Sequence, residues 1–209
     1  MSKETQNSQL CIWAKYFNAE VNLIKTPIIK NAVSDFIDEC VPEYFFELPA
    51  STSGKYHPEY TLGKGGLVKH TKAAVKIANS MFSLYNFSQI EKDIIISSLI
   101  LHDCFKCGTQ LDYEYNSNTK FEHPVLCAIE FNSFMERFFN KRLHSMYHKY
   151  WALEISNCIS SHMGKWNTSD KSDCVLPIPQ TSLEKYVHLC DYLASRRFIE
   201  VLNLDNIEE

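Results

Sequence analysis

The sequence predicts an all-α protein, and two observations carry that reading. Chain-breaking residues are sparse, with 6 Gly and 7 Pro in 209 residues. Between them, apolar residues recur three and four positions apart, the period of a helix with one buried face. Residues 9–20 are expected to form a first helix. Residues 27–40 form a second, with Pro27 in its first turn and Ile28, Val33, Phe36 and Ile37 as apolar positions. Pro42 to Pro49 holds an aromatic turn, Tyr44-Phe45-Phe46, and residues 50–66 read as a loop rich in Ser, Gly and Lys. Amphipathic segments follow at Leu67–Leu84 and Ile90–Leu101. Residues 111–121 are the exception: Tyr113 and Tyr115 alternate before Asn-Ser-Asn, the pattern of a short β-hairpin. Helical period resumes over Pro124–Lys141 and Tyr147–Met163. After a polar loop, Thr181 or Ser182 is placed to cap a last helix carrying Leu183, Val187, Leu193, Ala194 and Phe198.

Length fits one domain with a small extension. We divide the chain into residues 1–55, a helical extension packed on the core, and residues 56–209, the domain proper. Hydrophobic residues make up 45% and charged residues 22%, enough to bury a substantial core. The net charge of −4 excludes the broad positive field of a dedicated nucleic-acid binder. It leaves room for a small phosphorylated substrate or a short single strand in a local basic groove. The opening MSKETQNSQL lacks the apolar centre of a signal peptide, and no apolar run is long enough to span a bilayer. A cytoplasmic protein without a membrane partner is the expectation, with its eight scattered cysteines reduced. A homo-oligomer is left open.

The informative feature is a set of polar residues on apolar helical stripes. His70 lines up with Ala74, Ile77 and Met81; His102 with Ser98 and Ile95; His162 with Cys158, Ile155 and Trp151. Asp191 lines up with Val187, Ala194 and Phe198, and His123 stands at the N-terminal edge of its helix. A single histidine on such a stripe is usually a satisfied core residue. A carboxylate there is costly unless it is paired or bound to metal, and His102-Asp103 sets a second acid beside a buried imidazole. One shared metal site accounts for all of these together. Four imidazoles and two carboxylates suit Mn, Fe, Co, Ni or Zn rather than Mg or Ca. Six ligands exceed the needs of one tetrahedral zinc, which argues for two divalent transition metals.

In order and in local context, His70, His102-Asp103, His123, His162 and Asp191 resemble the ligand series of the HD-domain phosphohydrolase superfamily. Gly65-Gly66-Leu67-Val68-Lys69-His70-Thr71 is similar to a GGL-x-x-HT segment of one branch. Leu101-His102-Asp103-Cys104-Phe105-Lys106 is similar to LHD-x-x-K, Ser161-His162-Met163-Gly164 to SHHG, and Asp191-Tyr192-Leu193 to D-x-L. Met163 stands where that branch often has a second histidine. The resemblance covers about residues 56–200 and is nearest to the HD domain of 3′→5′ exoribonucleases, without their OB-fold. It implies a helical HD bundle in which His70, His102, Asp103 and Asp191 hold one metal. Asp103, His123 and His162 would hold the second, with Asp103 as the bridge. It also implies a metal-activated water as nucleophile, with Lys106 neutralising phosphoryl charge. The expected activity is hydrolysis of a phosphoester or phosphodiester in a nucleotide or short single-stranded nucleic acid, a small nucleotide being favoured. A non-catalytic metal- or nucleotide-binding HD module and an HD-like di-iron oxygenase are the alternatives.

Weaker signals surround this set. Lys165 and Trp166 follow His162 in a polar loop, where a cation can hold phosphate and an indole can stack on a base. Lys69, with Lys64, flanks the glycine pair, and of Arg196-Arg197 one is expected to face the site. His188 lies near Asp191, and His57 is placed near the mouth of the site. His144 and His148 are read as surface residues. Cys104-x-x-Cys107 has no second pair, so two buried thiols are favoured over a metal knuckle or disulfide. Cys174, in a polar loop, is expected to be the exposed thiol.

Overall fold

A computed structural model describes residues 11–51, 53–140, 147–202 and 204. His144, the side chain of His148 and the first two positions of the expected 9–20 helix lie outside that range. The described chain is all-α. Its helices are α1 (Ile12–Leu23), α2 (Pro27–Cys40), α3 (Gly66–Met81), α4 (Gln89–Leu101), α5 (Gln110–Tyr115), α6 (His123–Asn140), α7 (Tyr147–Ser161) and α8 (Ser182–Ala194). Among the described residues there is no strand, and none is long and apolar enough a helix to cross a membrane.

Local chemistry sets the helix starts. Pro27 occupies the first turn of α2, where a missing N–H costs nothing. Ser88 and Glu91 form a reciprocal capping box on α4, and the Thr181 hydroxyl accepts the Glu184 N–H at the head of α8. The expected hairpin at 111–121 is corrected by the same chemistry. Thr109 and Asp112 make a capping box that starts α5 instead, and Lys120 then binds Asp112 at 2.6 Å. The last helix ends at Ala194, and Phe198 is 83% exposed beyond it rather than on a buried stripe.

α4 is the central element. It is buried from Asp93 to Leu101 and packs against α1, α2, α3, α7 and α8. The N-terminal helices share one core with the rest: the Phe36 ring on α2 meets Phe105, Phe131 and Phe134 at centroid distances of 6.3, 5.4 and 5.4 Å. Two polar tethers secure this packing. The buried Asp93 carboxylate accepts the backbone N–H groups of Lys25 and Thr26 at 3.0 and 2.7 Å, fixing the start of α2 to α4. The buried Tyr44 hydroxyl donates to the Gly108 carbonyl at 2.5 Å and accepts the Cys107 N–H at 3.1 Å, holding the turn that follows His102-Asp103.

The loop before α3 is pinned by backbone. Ala50 N–H bonds the Thr61 carbonyl, Gly65 N–H the Glu47 carbonyl, and Leu67 N–H the Leu48 carbonyl, at 2.9–3.0 Å. A Cβ on Gly66 would stand 1.9 Å from the Thr61 carbonyl oxygen, so only glycine lets this loop close over the head of α3.

Candidate metal centre

Helix ends deliver the polar residues to one place. His70 lies in the second turn of α3, His102 and Asp103 follow α4, His123 opens α6, His162 follows α7, and Asp191 lies near the end of α8. His70, His102, Asp103, His123 and His162 are buried to within 4% of full enclosure. The side chain of Asp191 is 17% exposed. His70 Nε2 lies 2.9 Å from Asp191 Oδ1 and 3.3 Å from His102 Nε2. His102 Nε2 lies 3.5 Å from Asp191 Oδ1 and 3.7 Å from Asp103 Oδ2. On the other side, Asp103 Oδ1 is 3.0 Å from His123 Nε2 and 3.7 Å from His162 Nε2. Three overlapping groups have ligand atoms within 4.8 Å of one another: His70/His102/Asp103, His102/His162/Asp191 and Asp103/His123/His162. Asp103 belongs to two of them.

Three of the imidazoles are aimed by backbone. Nδ1 of His102, His123 and His162 each sits 2.7 Å from the carbonyl three residues earlier, at Leu99, Lys120 and Ile159. A carbonyl only accepts, so each Nδ1 carries a proton, and in the neutral ring each Nε2 presents a lone pair to the shared space. The His123 Nε2 is buried, without a hydrogen-bond partner, and 3.0 Å from a carboxylate oxygen. A lone pair facing a carboxylate is repulsive unless a cation lies between them. This is the outer arrangement that orients metal-bound imidazole. His70 differs: its Nδ1 is buried and unpartnered, while its Nε2 bonds Asp191.

The electrostatics agree with a cation site. Burial alone would raise the pKa of Asp103, but Lys106, His102 and His123 outweigh it and hold the carboxyl well below the usual range. Burial opposes ionisation of Asp191 too, and hydrogen bonds from His102 and His70 overcome it. For His102, burial pushes the pKa down, yet Asp103 and Asp191 carry it above the ordinary imidazole value. Burial and the neighbouring His102 drop His162 to about 3. The two carboxylates therefore favour positive charge at the His102 Nε2 position, whether a proton or a metal ion. The C-terminal ends of α4 and α7, which carry partial negative charge, also point here. These residues form a buried His/Asp cluster able to hold metal.

The cluster opens into a cavity of about 470 Å³ whose lining includes Tyr56, His57, Lys106, Trp166, Tyr192 and Arg196. Lys106 Nζ lies 2.6 Å from Asp103 Oδ2. Arg196 faces the cavity and Arg197 is exposed; Lys165 and Lys69 do not line it. The Lys165 ammonium instead sits 5.0 Å over the Trp166 ring, and the Lys64 ammonium binds Glu47 at 2.6 Å. His188 donates from Nδ1 to the His162 carbonyl at 2.7 Å, so it supports the turn bearing that ligand. His57 lies on the wall 5.6 Å from the His70 ring, and burial, then His70, lowers its pKa to about 4. Cys104 and Cys107 are buried free thiols, and Cys11, not Cys174, is the exposed one. Tyr56 and Tyr192 are wall residues that the periodicity of the sequence did not single out. Compared with protein-family models, curated proteins and solved structures, the chain gives no match.

Proposed function

We propose that the protein is a metal-dependent phosphohydrolase of the HD type, acting on a nucleotide or a short nucleic-acid ester. The observation that carries this reading is the aimed cluster: imidazole lone pairs and ionised carboxylates converge beside a cavity that also bears Lys106 and Arg196. His70, His102, Asp103 and Asp191 would hold one metal, and Asp103, His123 and His162 a second. Bound transition metal supplies Lewis acidity and lowers the pKa of water towards about 7.

The chain's own residues do the rest. Asp103 stays ionised in the low-dielectric interior because Lys106 and two imidazoles surround it. Lys106 is fixed by that ion pair at the cavity wall, where its ammonium is available to neutralise a phosphoryl oxygen. Arg196 is held by the Tyr192 carbonyl at 3.2 Å and the Ser195 hydroxyl at 2.9 Å, which leaves its guanidinium face on Tyr192. In the net reaction water adds to phosphorus, the P–O bond to the leaving group breaks, and that oxygen takes a proton.

The test is metal content together with reconstituted hydrolysis. Protein purified without chelator is expected to carry roughly two transition metals per chain and to hydrolyse bis-p-nitrophenyl phosphate or a nucleotide with added Mn²⁺. About one metal with turnover keeps the hydrolase and removes the second site. Metal without phosphoester turnover overturns the proposal in favour of an oxygenase or a binding module. Absence of bound metal overturns its basis.

A further inference from the structure

The turn that carries Asp103 and Lys106 is loosely held by its own backbone. α4 ends at Leu101, and beyond it the bonds run to the third residue back: Cys104 N–H to the Leu101 carbonyl, Lys106 to Asp103 and Gly108 to Phe105, at 2.8–3.1 Å. Such bonds are poorer in geometry than those of an α-helix. The Cys107 N–H and the Gly108 carbonyl fall outside this series. Tyr44 pairs both with one hydroxyl, at 3.1 and 2.5 Å. A hydroxyl donates and accepts at once, and burial pushes the pKa of Tyr44 up, so its proton stays in place.

Tyr44 is itself firmly held. It lies in the 3-10 turn Glu43–Phe46, within the first 55 residues. Phe45 beside it is fully enclosed, and Phe46 stacks on Tyr16 of α1 at 4.4 Å. The Tyr44 ring stacks on Tyr113 of α5 at 4.5 Å and 29°. From the turn, two routes lead to the His/Asp cluster. The Lys106 ammonium reaches Asp103 Oδ2 at 2.6 Å. The Lys106 carbonyl accepts the Lys120 N–H at 2.9 Å, and the Lys120 carbonyl accepts the N–H of His123 Nδ1 at 2.7 Å. Position is thus passed from Tyr44 through residues 106–108 to a cation and to a candidate ligand.

We infer that Tyr44 is a positioning residue of the site: its hydroxyl fixes the turn from which Lys106 and, through Lys120, His123 are aimed. Tyr44 does not line the cavity, so the N-terminal segment contributes to the chemistry without touching the substrate. The inference rests on the metal and hydrolase reading above and adds a residue to it.

The experiment is a matched pair of hydroxyl deletions in the full chain. Tyr44→Phe keeps the ring and its stack on Tyr113. The control is Tyr186→Phe. Tyr186 is also a buried tyrosine whose hydroxyl donates to a backbone carbonyl, that of Ala78 at 2.8 Å. Ala78 stands eight residues beyond His70 on α3, about 12 Å along the helix. Each variant is expected to lose roughly 2–8 °C of Tm. Tyr44→Phe alone is expected to lose function. With bis-p-nitrophenyl phosphate and Mn²⁺, its kcat falls about 10–100-fold while KM stays within about twofold. A second readout needs no turnover. Chelator-stripped protein is titrated with Co²⁺ and followed by visible absorption. The Co²⁺ equivalent that His123→Ala abolishes binds about tenfold more weakly in Tyr44→Phe and unchanged in Tyr186→Phe. Tyr44→Phe that matches Tyr186→Phe in kcat or in Co²⁺ affinity, or His123→Ala that loses no Co²⁺ equivalent, overturns the inference and leaves the hydrolase standing. If the wild type turns over no ester, the hydrolase reading falls and the Co²⁺ affinities alone decide the role of Tyr44. A wild type that binds no Co²⁺ overturns both.

Discussion

Replacing Asp103 with asparagine keeps the size of the side chain and removes the charge shared by two of the three ligand groups. Protein stripped with chelator and then given Mn²⁺ at about 100 times its Kd gains roughly 2.7 kcal/mol of stability from binding alone. For a chain of this length that is a rise in Tm of roughly 5–11 °C. Asp103→Asn leaves only the His102/His162/Asp191 group intact. Losing even an outer partner of a ligand costs up to about 100-fold in affinity, and a shared ligand costs at least that. At the same Mn²⁺ concentration the gain falls to about 0.4 kcal/mol, or roughly 1–2 °C. Thermal unfolding followed by circular dichroism, with and without Mn²⁺, measures both shifts. An undiminished shift in Asp103→Asn would place the metal elsewhere and refute the reasoning.

Three further outcomes are expected. Lys106→Met retains metal, as counted by elemental analysis, but lowers kcat about 100-fold or more, the scale of removing one preorganised donor. Asp93→Ala removes the acceptor of the Lys25 and Thr26 N–H groups and costs about 1–3 kcal/mol in urea unfolding; Asp93→Asn, which keeps one acceptor, loses less. Glu20 is buried on α1 with one carboxylate oxygen unpartnered, and burial, more than its neighbours, raises its pKa above the ordinary 4.5. Because the folded-state pKa is the higher one, the proton stabilises the fold below 4.5, and that contribution is lost as pH rises through the folded value. Glu20→Gln should therefore melt above the wild type at pH 7.5 and match it below pH 4.5; a constant difference across pH would contradict this.

The helices and the polar stripes were legible because both follow the 3.6-residue period. His70, His102, His123, His162 and Asp191 each stood at an inward position of a helix or at its end, and the structure brings them, with Asp103, into three overlapping groups. At 111–121 alternation suggested a hairpin, while Thr109 and Asp112, three residues apart and already in the sequence, capped a helix. The cavity wall was only partly readable. Tyr56 and His57 reach it through a loop held by backbone bonds to Glu47, Leu48 and Ala50, and no periodicity encodes such closure. Lys165 lies beside Trp166 in sequence, yet only the indole lines the cavity. Neighbours in a loop share no face by rule, unlike neighbours on a helix.

The bonds from three imidazoles to carbonyls three residues back have a consequence for how this chain can vary. Every residue has a carbonyl, so the groups that orient His102, His123 and His162 ask nothing of the side chains at 99, 120 and 159. Packing still restricts Leu99 and Ile159, which are buried, but any side chain that fits there leaves the aim of the ligands intact. Length is another matter. One residue inserted between 99 and 102, or between 159 and 162, breaks the three-residue register and turns the imidazole about 100° around the helix axis. The aim of these imidazoles is therefore tolerant of substitution at the carbonyl positions and intolerant of insertion before the ligand, and a library of single-residue insertions should mark out those two turns more sharply than point changes at 99, 120 and 159.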